Sequence, residues 1–208
     1  MPSEPDEKSK MSRRQLIRGA GAAVAASTVA GSLIANKPAG AEDAEPLPQE
    51  AGAIAVTLKV NGKTHTVNLQ PRVTLLDALR ERLKLTGAKR ICDRGTCGGC
   101  TVLKDGKPIY ACMMLAADAQ GAEITTVEGL GTPERMSEMQ KQFVEKDALM
   151  CGFCTPGFVV ACTAAIKSNP NATMEQIKQQ ITGNVCRCGT FNRVFEAAFA
   201  AAKAGGGA

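Results

Sequence analysis

The sequence predicts an α+β chain whose strand-rich first half is followed by an all-helical second half. Three observations lead there. Apolar residues alternate with small or polar ones over Ile54–Val60, as a half-buried strand requires, and beyond about residue 131 they recur at helical spacing instead. The turn dipeptides Asn61-Gly62 and Asp105-Gly106 each separate two short runs of strand character. Eight of the nine cysteines fall into two sets of four, one set in each half.

In the first half, taken as residues 53–130, Ile54, Val56, Leu58 and Val60 share one face of a strand, and Lys63–Leu69 returns as its hairpin partner. Thr74 with Asp77 forms a capping box for a helix over Leu75–Leu85 that Gly87 ends, and Leu75, Leu76, Leu79 and Leu83 line its apolar face. The loop Cys92–Cys100 follows, holding Gly95, Gly98 and Gly99. A second hairpin, Thr101–Leu103 with Lys107–Ala111, brings Cys112 back toward that loop, and Ile124–Val127 supplies a closing strand. Two hairpins around one helix suggest the β-grasp arrangement of a ferredoxin.

The second half, residues 131–204, opens with a helix over Glu134–Lys146 that places Met136, Met139, Phe143 and Val144 on one face. After Cys151-Gly152-Phe153-Cys154, Thr155 is read as an N-cap and Pro156 as a first-turn residue of a helix ending at Ser168, before Asn169-Pro170. Thr173 and Gln176 form a capping box for a helix that Gly183 closes, and Asn192–Lys203 is the last helix, with Val194, Phe195 and Phe199 apolar. These four helices make a small four-helix bundle. Helix N-termini near Cys154 and Cys188 favour thiolate and negative charge there.

Cysteine spacing gives the chemistry. Cys92, Cys97 and Cys100 are spaced C-x4-C-x2-C with a fourth residue, Cys112, further on, which is the plant-type spacing for a [2Fe–2S] cluster. A glycine-rich loop can fold tightly about an inorganic core and aim N–H groups at its sulfurs, which raises the reduction potential. Zinc ribbons present two C-x2-C knuckles rather than this single loop. Cys151, Cys154, Cys186 and Cys188 form C-x2-C…C-x-C, where zinc is a fair rival when the motif stands alone. Beside a ferredoxin set on the same chain it reads as a second [2Fe–2S] site. A single histidine, His65, excludes a Rieske centre and Cys2His2 zinc, and no C-x-x-C-H occurs for haem attachment. Cys162, among Val159, Val160 and Ala161, reads as buried and apolar. Met113, Met114, Met136 and Met139 read as core, and His65 as exposed. No residue reads as catalytic, so two redox centres on a chain with no other chemistry suggest an electron conduit within a larger enzyme.

The amino-terminal 41 residues read as an address. Arg13-Arg14 precede the weakly apolar run Gly19–Ala35, and Ala39-Gly40-Ala41 supplies small residues at a cleavage position. The adjacent arginines mark a twin-arginine signal, with cleavage after Ala41 and a periplasmic destination. The run is 17 residues, short of the roughly 20 strongly apolar residues of a spanning helix, so no stable membrane span is expected in the mature chain. Twin-arginine export is associated with folded, cofactor-loaded proteins, which lets thiolate clusters reach a compartment where cysteines ordinarily pair as disulfides. Residues 42–52 read as a polar linker. Residues 1–41 carry six Lys/Arg and three Asp/Glu of the chain's 25 and 20, so the remainder is +2, which gives no electrostatic footprint for nucleic acid.

At CDRGTCGGCTV, CGFCTPG and GNVCRCGT the chain resembles the iron–sulfur subunit of the xanthine oxidase family of molybdenum hydroxylases, over about residues 54–200. Its signal makes it most similar to the periplasmic aldehyde oxidoreductase small subunits. The resemblance implies a heterotrimer, with a molybdenum–pterin cofactor on a large subunit and FAD on another. This chain would pass electrons from molybdenum through the helical-domain cluster to the ferredoxin cluster, then to FAD or another acceptor. It also implies that Cys188 lies next to the pterin. The family has Gln before CGFC, where this chain has Met150, and Gly before the first ferredoxin cysteine, where this chain has Ile91. The alternatives are the same role in an N-heterocycle or purine hydroxylase, and a stand-alone exported two-cluster ferredoxin.

Overall fold

A computed structural model describes residues 52–205. The expected signal segment 1–41, its cleavage position at Ala41 and all but the last residue of the linker lie outside the described residues. The first hairpin pairs β1 (Ile54–Val60) with β2 (Lys63–Leu69) in antiparallel register, Val60 opposite Lys63. Its two-residue turn has Asn61 at φ 52° and Gly62 at φ 74°, the left-handed pair that matches the twist of the strands. The second hairpin joins β3 (Thr101–Lys104) to β4 (Lys107–Tyr110), and β5 (Glu123–Thr125) lies between the hairpins. The sheet order is β2-β1-β5-β3-β4, with β1 parallel to β5 and the other pairs antiparallel.

Val56, Leu58 and Val60 on β1 meet Leu75, Leu76 and Leu79 of the helix, together with Val102 and Ile124, in one core. That helix departs from expectation. Its α-helical part, α1, is Leu75–Asp77, capped by the Thr74 hydroxyl, and it continues as a π-helical stretch over Ala78–Arg82. The Leu83 N–H bonds to the Ala78 carbonyl at 3.1 Å and the Leu85 N–H to that of Leu79 at 2.9 Å. The wider turn keeps Leu83 and Leu85 against the core. Lys84, at φ 58°, then ends the element short of the expected Leu85.

Four helices follow: α2 (Glu138–Glu145), α3 (Thr155–Ser168), α4 (Met174–Gln180) and α5 (Phe191–Lys203). α2 starts four residues later than expected because Ser137 and Gln140 form a complete capping box there, and Val144 is exposed rather than on the packed face. The expected box of Thr173 and Gln176 is present at α4, which ends at Gln180 rather than running on to Gly183. α3 is buried continuously from Gly157 to Ile166, the pattern of a helix surrounded by others. Phe158 packs edge-on against Phe191 with ring centroids 5.9 Å apart. Cys162 is fully buried in this core, as expected. Of the methionines expected to be core, Met139 is, Met114 and Met136 are half-buried, and Met113 is 66% exposed. Met113 lies on the short 3-10 turn Ala111–Met113, with its side chain over Gly95. His65 is half-buried rather than exposed.

Helix α3 also packs on the sheet, where Leu103 of β3 meets Val160 and Ala164 with Val127 and Leu130 alongside. The approach is closest at Gly157, where a Cβ would lie 2.3 Å from the Gly98 carbonyl oxygen. Among the described residues, no helix is long and apolar enough to cross a membrane.

Candidate redox centres

The loop between α1 and β3 carries Cys92, Cys97 and Cys100, and the 3-10 turn after β4 presents Cys112. Cys92 and Cys97 are half-buried, whereas Cys100 and Cys112 are buried. The thiols come together as two pairs, Cys92 with Cys97 and Cys100 with Cys112, and Cys97 borders Cys100. The Thr96 hydroxyl, followed by the Arg94 N–H, holds the Cys92 pKa down at about 6. The Thr96 N–H also points at Cys92 Sγ from 3.4 Å. Burial pushes Cys100 up to about 12. Tyr110, at the end of β4, stands beside all four: its phenol is pushed up first by burial and then by the negative charge of Cys100, Cys97, Cys112 and Cys92.

The second set flanks two helix starts. Cys151 and Cys154 precede α3, and Cys186 and Cys188 lie between α4 and α5. Cys151 pairs with Cys188 and Cys154 with Cys186, and Cys151 also borders Cys186. Cys154 and Cys186 are buried; Cys151 and Cys188 are exposed. The Phe153 N–H lowers the Cys151 pKa, and burial raises that of Cys154 to about 12. Burial acts against the Cys186 thiolate, but the Thr190 N–H, the Cys154 thiol and the N–H groups of Cys188 and Gly189 together lower its pKa. The N–H groups of the loop leading into α5 therefore serve Cys186, whereas Cys154 and Cys188, where a nearby helix N-terminus leads one to expect thiolate, have raised pKa values. Cys154, not Thr155, is the N-cap of α3, and the buried Thr155 hydroxyl has no hydrogen-bond partner among the described residues.

Both sets thus consist of two thiol pairs side by side. Among the described residues, no three His, Cys, Asp or Glu side chains gather closely enough to hold a single metal ion. A tetrahedral zinc site would need all four thiolates at about 2.3 Å from one ion. Two pairs suit a two-iron cluster, one pair to each iron, and soft thiolates are its usual ligands. The donor sets therefore fit the cluster.

The chain matches the 2Fe-2S iron-sulfur cluster binding domain over residues 58–126 and the [2Fe-2S] binding domain over residues 126–199. It is 41% identical over 211 residues to the aldehyde oxidoreductase iron-sulfur-binding subunit of Escherichia coli O157:H7, an alignment covering 93% of this chain and 89% of the relative. The chain belongs to the iron–sulfur subunits of the xanthine oxidase family of molybdenum enzymes. The nicotine 6-hydroxylase small subunit of Paenarthrobacter nicotinovorans is 40% identical, covering 72% of this chain and 90% of that one. Among solved structures, quinoline 2-oxidoreductase from Pseudomonas putida 86 superposes with a TM-score of 0.70 at 36% identity, covering 75% of this chain and 99% of that chain. The aldehyde oxidoreductase from Desulfovibrio desulfuricans gives the same score and identity, with 72% of this chain covering 17% of that much longer one.

A subunit of this family is a non-catalytic, electron-transferring part of an oxidoreductase, and it carries two [2Fe–2S] clusters. Sequence reasoning brought together the eight thiols but missed Thr96, Tyr110 and Asn184, which surround them. Tyr110 is the one tyrosine of the chain and lies two residues before Cys112, and Asn184 lies two residues before Cys186. Those placements were the available signals.

Proposed function

We propose that Cys92, Cys97, Cys100 and Cys112 hold one [2Fe–2S] cluster and Cys151, Cys154, Cys186 and Cys188 the other, in the electron-transfer subunit of a periplasmic molybdenum-dependent aldehyde hydroxylase. The two thiol pairs in each set carry the ligand assignment. When bound, the clusters supply one-electron carriers. What the chain's own residues contribute is a partner-facing end: exposed Cys151 and Cys188 sit with exposed Leu149, Met150, Phe153 and Val185 on the same two loops. Apolar side chains exposed around a redox centre suit a face covered by another subunit. That face would receive the molybdenum–pterin subunit, with Cys188 nearest the pterin, and the opposite end, at Cys92, would deliver electrons to an FAD subunit in a heterotrimer. Met150 is 64% exposed on the partner face, and its thioether has no proton to donate, so its contact with the pterin side is apolar where the family uses an amide.

Aldehyde is preferred over an N-heterocycle because the alignment with the Escherichia coli aldehyde oxidoreductase subunit covers 93% of this chain, against 72% for the nicotine hydroxylase subunit, so it takes in much of the amino-terminal segment. The paired arginines and the small residues ending at Ala41 support twin-arginine export and cleavage there. The test is to express the full chain with its neighbouring coding sequences, fractionate the cells and assay the purified assembly for iron, labile sulfide, molybdenum and FAD. Addition of an aldehyde should bleach the visible absorbance of the clusters. A chain that purifies alone, stays in the cytoplasm or is reduced by N-heterocycles but not aldehydes overturns the corresponding part of the proposal.

A further inference from the structure

The two cluster-bearing loops meet through buried polar groups. Asn184 is 5% exposed, and its amide donates to the Gly98 carbonyl at 2.9 Å and to the Thr101 hydroxyl at 3.4 Å. Gly98 lies between Cys97 and Cys100, and its carbonyl also accepts from the Thr101 hydroxyl at 2.6 Å and the Thr101 N–H at 3.1 Å. On one side of Asn184, the Tyr110 hydroxyl donates to the Gly183 carbonyl at 3.1 Å. On the other, the Val185 N–H donates to the Cys97 carbonyl at 3.0 Å. The fit leaves no slack. A Cβ on Gly98, at φ 68°, would lie 2.6 Å from the Asn184 amide, and one on Gly183 would lie 1.9 Å from the Tyr110 oxygen.

The Val185 bond joins the two thiol sets directly. Cys97 supplies its own carbonyl, and Val185 is covalently bound to Cys186. From Cys97 Sγ to Cys186 Sγ the chain therefore offers a path of covalent bonds interrupted by one hydrogen bond. A backbone bond between two loops has no side chain of its own to fix its length. A buried amide whose N–H groups reach the Gly98 carbonyl and the Thr101 hydroxyl does fix it, because pulling Asn184 away would strand those donors.

We propose that Asn184 is a positioning residue for electron transfer between the clusters: it clamps the Cys186 loop to the Cys97–Cys100 loop and so sets the Val185–Cys97 hydrogen bond. The inference rests on the ligand sets proposed above. With the clusters bound, the transfer would move one electron: an iron held by one set would go from ferrous to ferric as an iron held by the other went from ferric to ferrous. No proton moves and no bond is made or broken.

The test compares wild type with Asn184→Asp and Asn184→Ala in the enzyme as isolated with its partner subunits. Asn184→Asp keeps shape and volume but replaces the donor with an oxygen facing the Gly98 oxygen, and Asn184→Ala removes the group without that repulsion. Iron and labile sulfide per chain report cluster loading. Hydrogen exchange of the peptide containing Val185 reports the bond, and the electron paramagnetic resonance splitting between the two reduced clusters reports their coupling. Both variants should keep both clusters, lose protection at Val185, and show a changed splitting with slower equilibration between clusters after rapid mixing with reductant. If both keep wild-type splitting, protection and equilibration, the clamp is wrong. If Asn184→Asp alone behaves as wild type, shape and not the donor is what matters, and the proposal also falls. Loss of a cluster in both variants assigns Asn184 to cluster retention instead and overturns it equally. A wild-type enzyme with fewer than two clusters per chain sinks the ligand sets themselves.

Discussion

Replacing Gly157 with alanine separates two physical effects of opposite sign. Gly157 is the third residue of α3, and alanine is favoured over glycine within a helix by at most about 1 kcal/mol. By helix propensity alone, Gly157→Ala stabilises the protein. The contact predicts the reverse. The new Cβ would lie 2.3 Å from the Gly98 oxygen, 3.1 Å from the Gly99 Cα and 3.2 Å from the Gly98 carbonyl carbon. All three are backbone atoms, so no side chain can swing aside, and restoring van der Waals contact requires the loop and the helix to separate by roughly 1 Å. The Gly98 oxygen they would drag away accepts from Thr101 and from Asn184. Overpacking costs about 1–3 kcal/mol, and here the upper end applies, leaving a net loss of about 2 kcal/mol. For a chain of this size that lowers Tm by roughly 4–8 °C. Differential scanning calorimetry of the cluster-loaded protein, wild type and variant at one scan rate, measures it. An unchanged or raised Tm would show that helix propensity outweighs the contact and that the two modules are not tightly apposed at Gly98.

Three further outcomes follow from the same geometry. Cys97→Ser should remove the cluster of the first set and leave the second spectroscopically present, with iron per chain falling by about half of the two-cluster content; simultaneous disappearance of both signals would contradict independent sets. Cys162→Ala should retain full iron and sulfide, since Cys162 is fully buried in the helical core and no thiol of either set acts on it, and any loss of iron makes it a ligand. Phe158→Ala should cost about 3–5 kcal/mol, because a fully buried ring stacked edge-on against Phe191 is replaced by a cavity; a denaturant midpoint close to wild type would refute its place at the centre of the bundle.

Much of the fold was legible because its signals are local. Alternation over Ile54–Val60 and the Asn61-Gly62 turn fix a hairpin within a few residues of chain, and Thr173 with Gln176 does the same for α4. The misses have physical reasons. The end of α1 depends on Lys84 adopting a left-handed conformation, which no lysine advertises. Helical spacing of Met136, Met139 and Phe143 carries the expected α2 back to Glu134, whereas the Ser137 and Gln140 capping box starts it at Glu138. Met113 is apolar and so reads as core, but it covers Gly95 of the Cys92–Cys100 loop from outside. For the site, spacing along the chain was enough to gather the thiols. It could not show Asn184 meeting Gly98, a contact between residues 86 apart.

Exposure then distinguishes the thiols of the two sets. In the second set Cys151 and Cys188 face outward and Cys186 faces inward, bonded through its neighbour Val185 to Cys97. In the first set the thiol held down at about 6 by the Thr96 hydroxyl and the Arg94 N–H is Cys92, in the more accessible pair, while Cys100 and Cys112 are buried. The two sets therefore join through the backbone at Cys97 and beside Cys186, whereas Cys151 and Cys188 are the thiols left exposed. Hydrogen bonds to the Cys92 sulfur favour negative charge there, as the N–H groups of Thr190, Cys188 and Gly189 do at Cys186. Between the two sets the backbone offers a crossing with a single hydrogen bond, from Cys186 through Val185 to Cys97. Thiols exposed at one set and a bonded crossing to the other are what an electron-transferring subunit of a larger oxidoreductase requires.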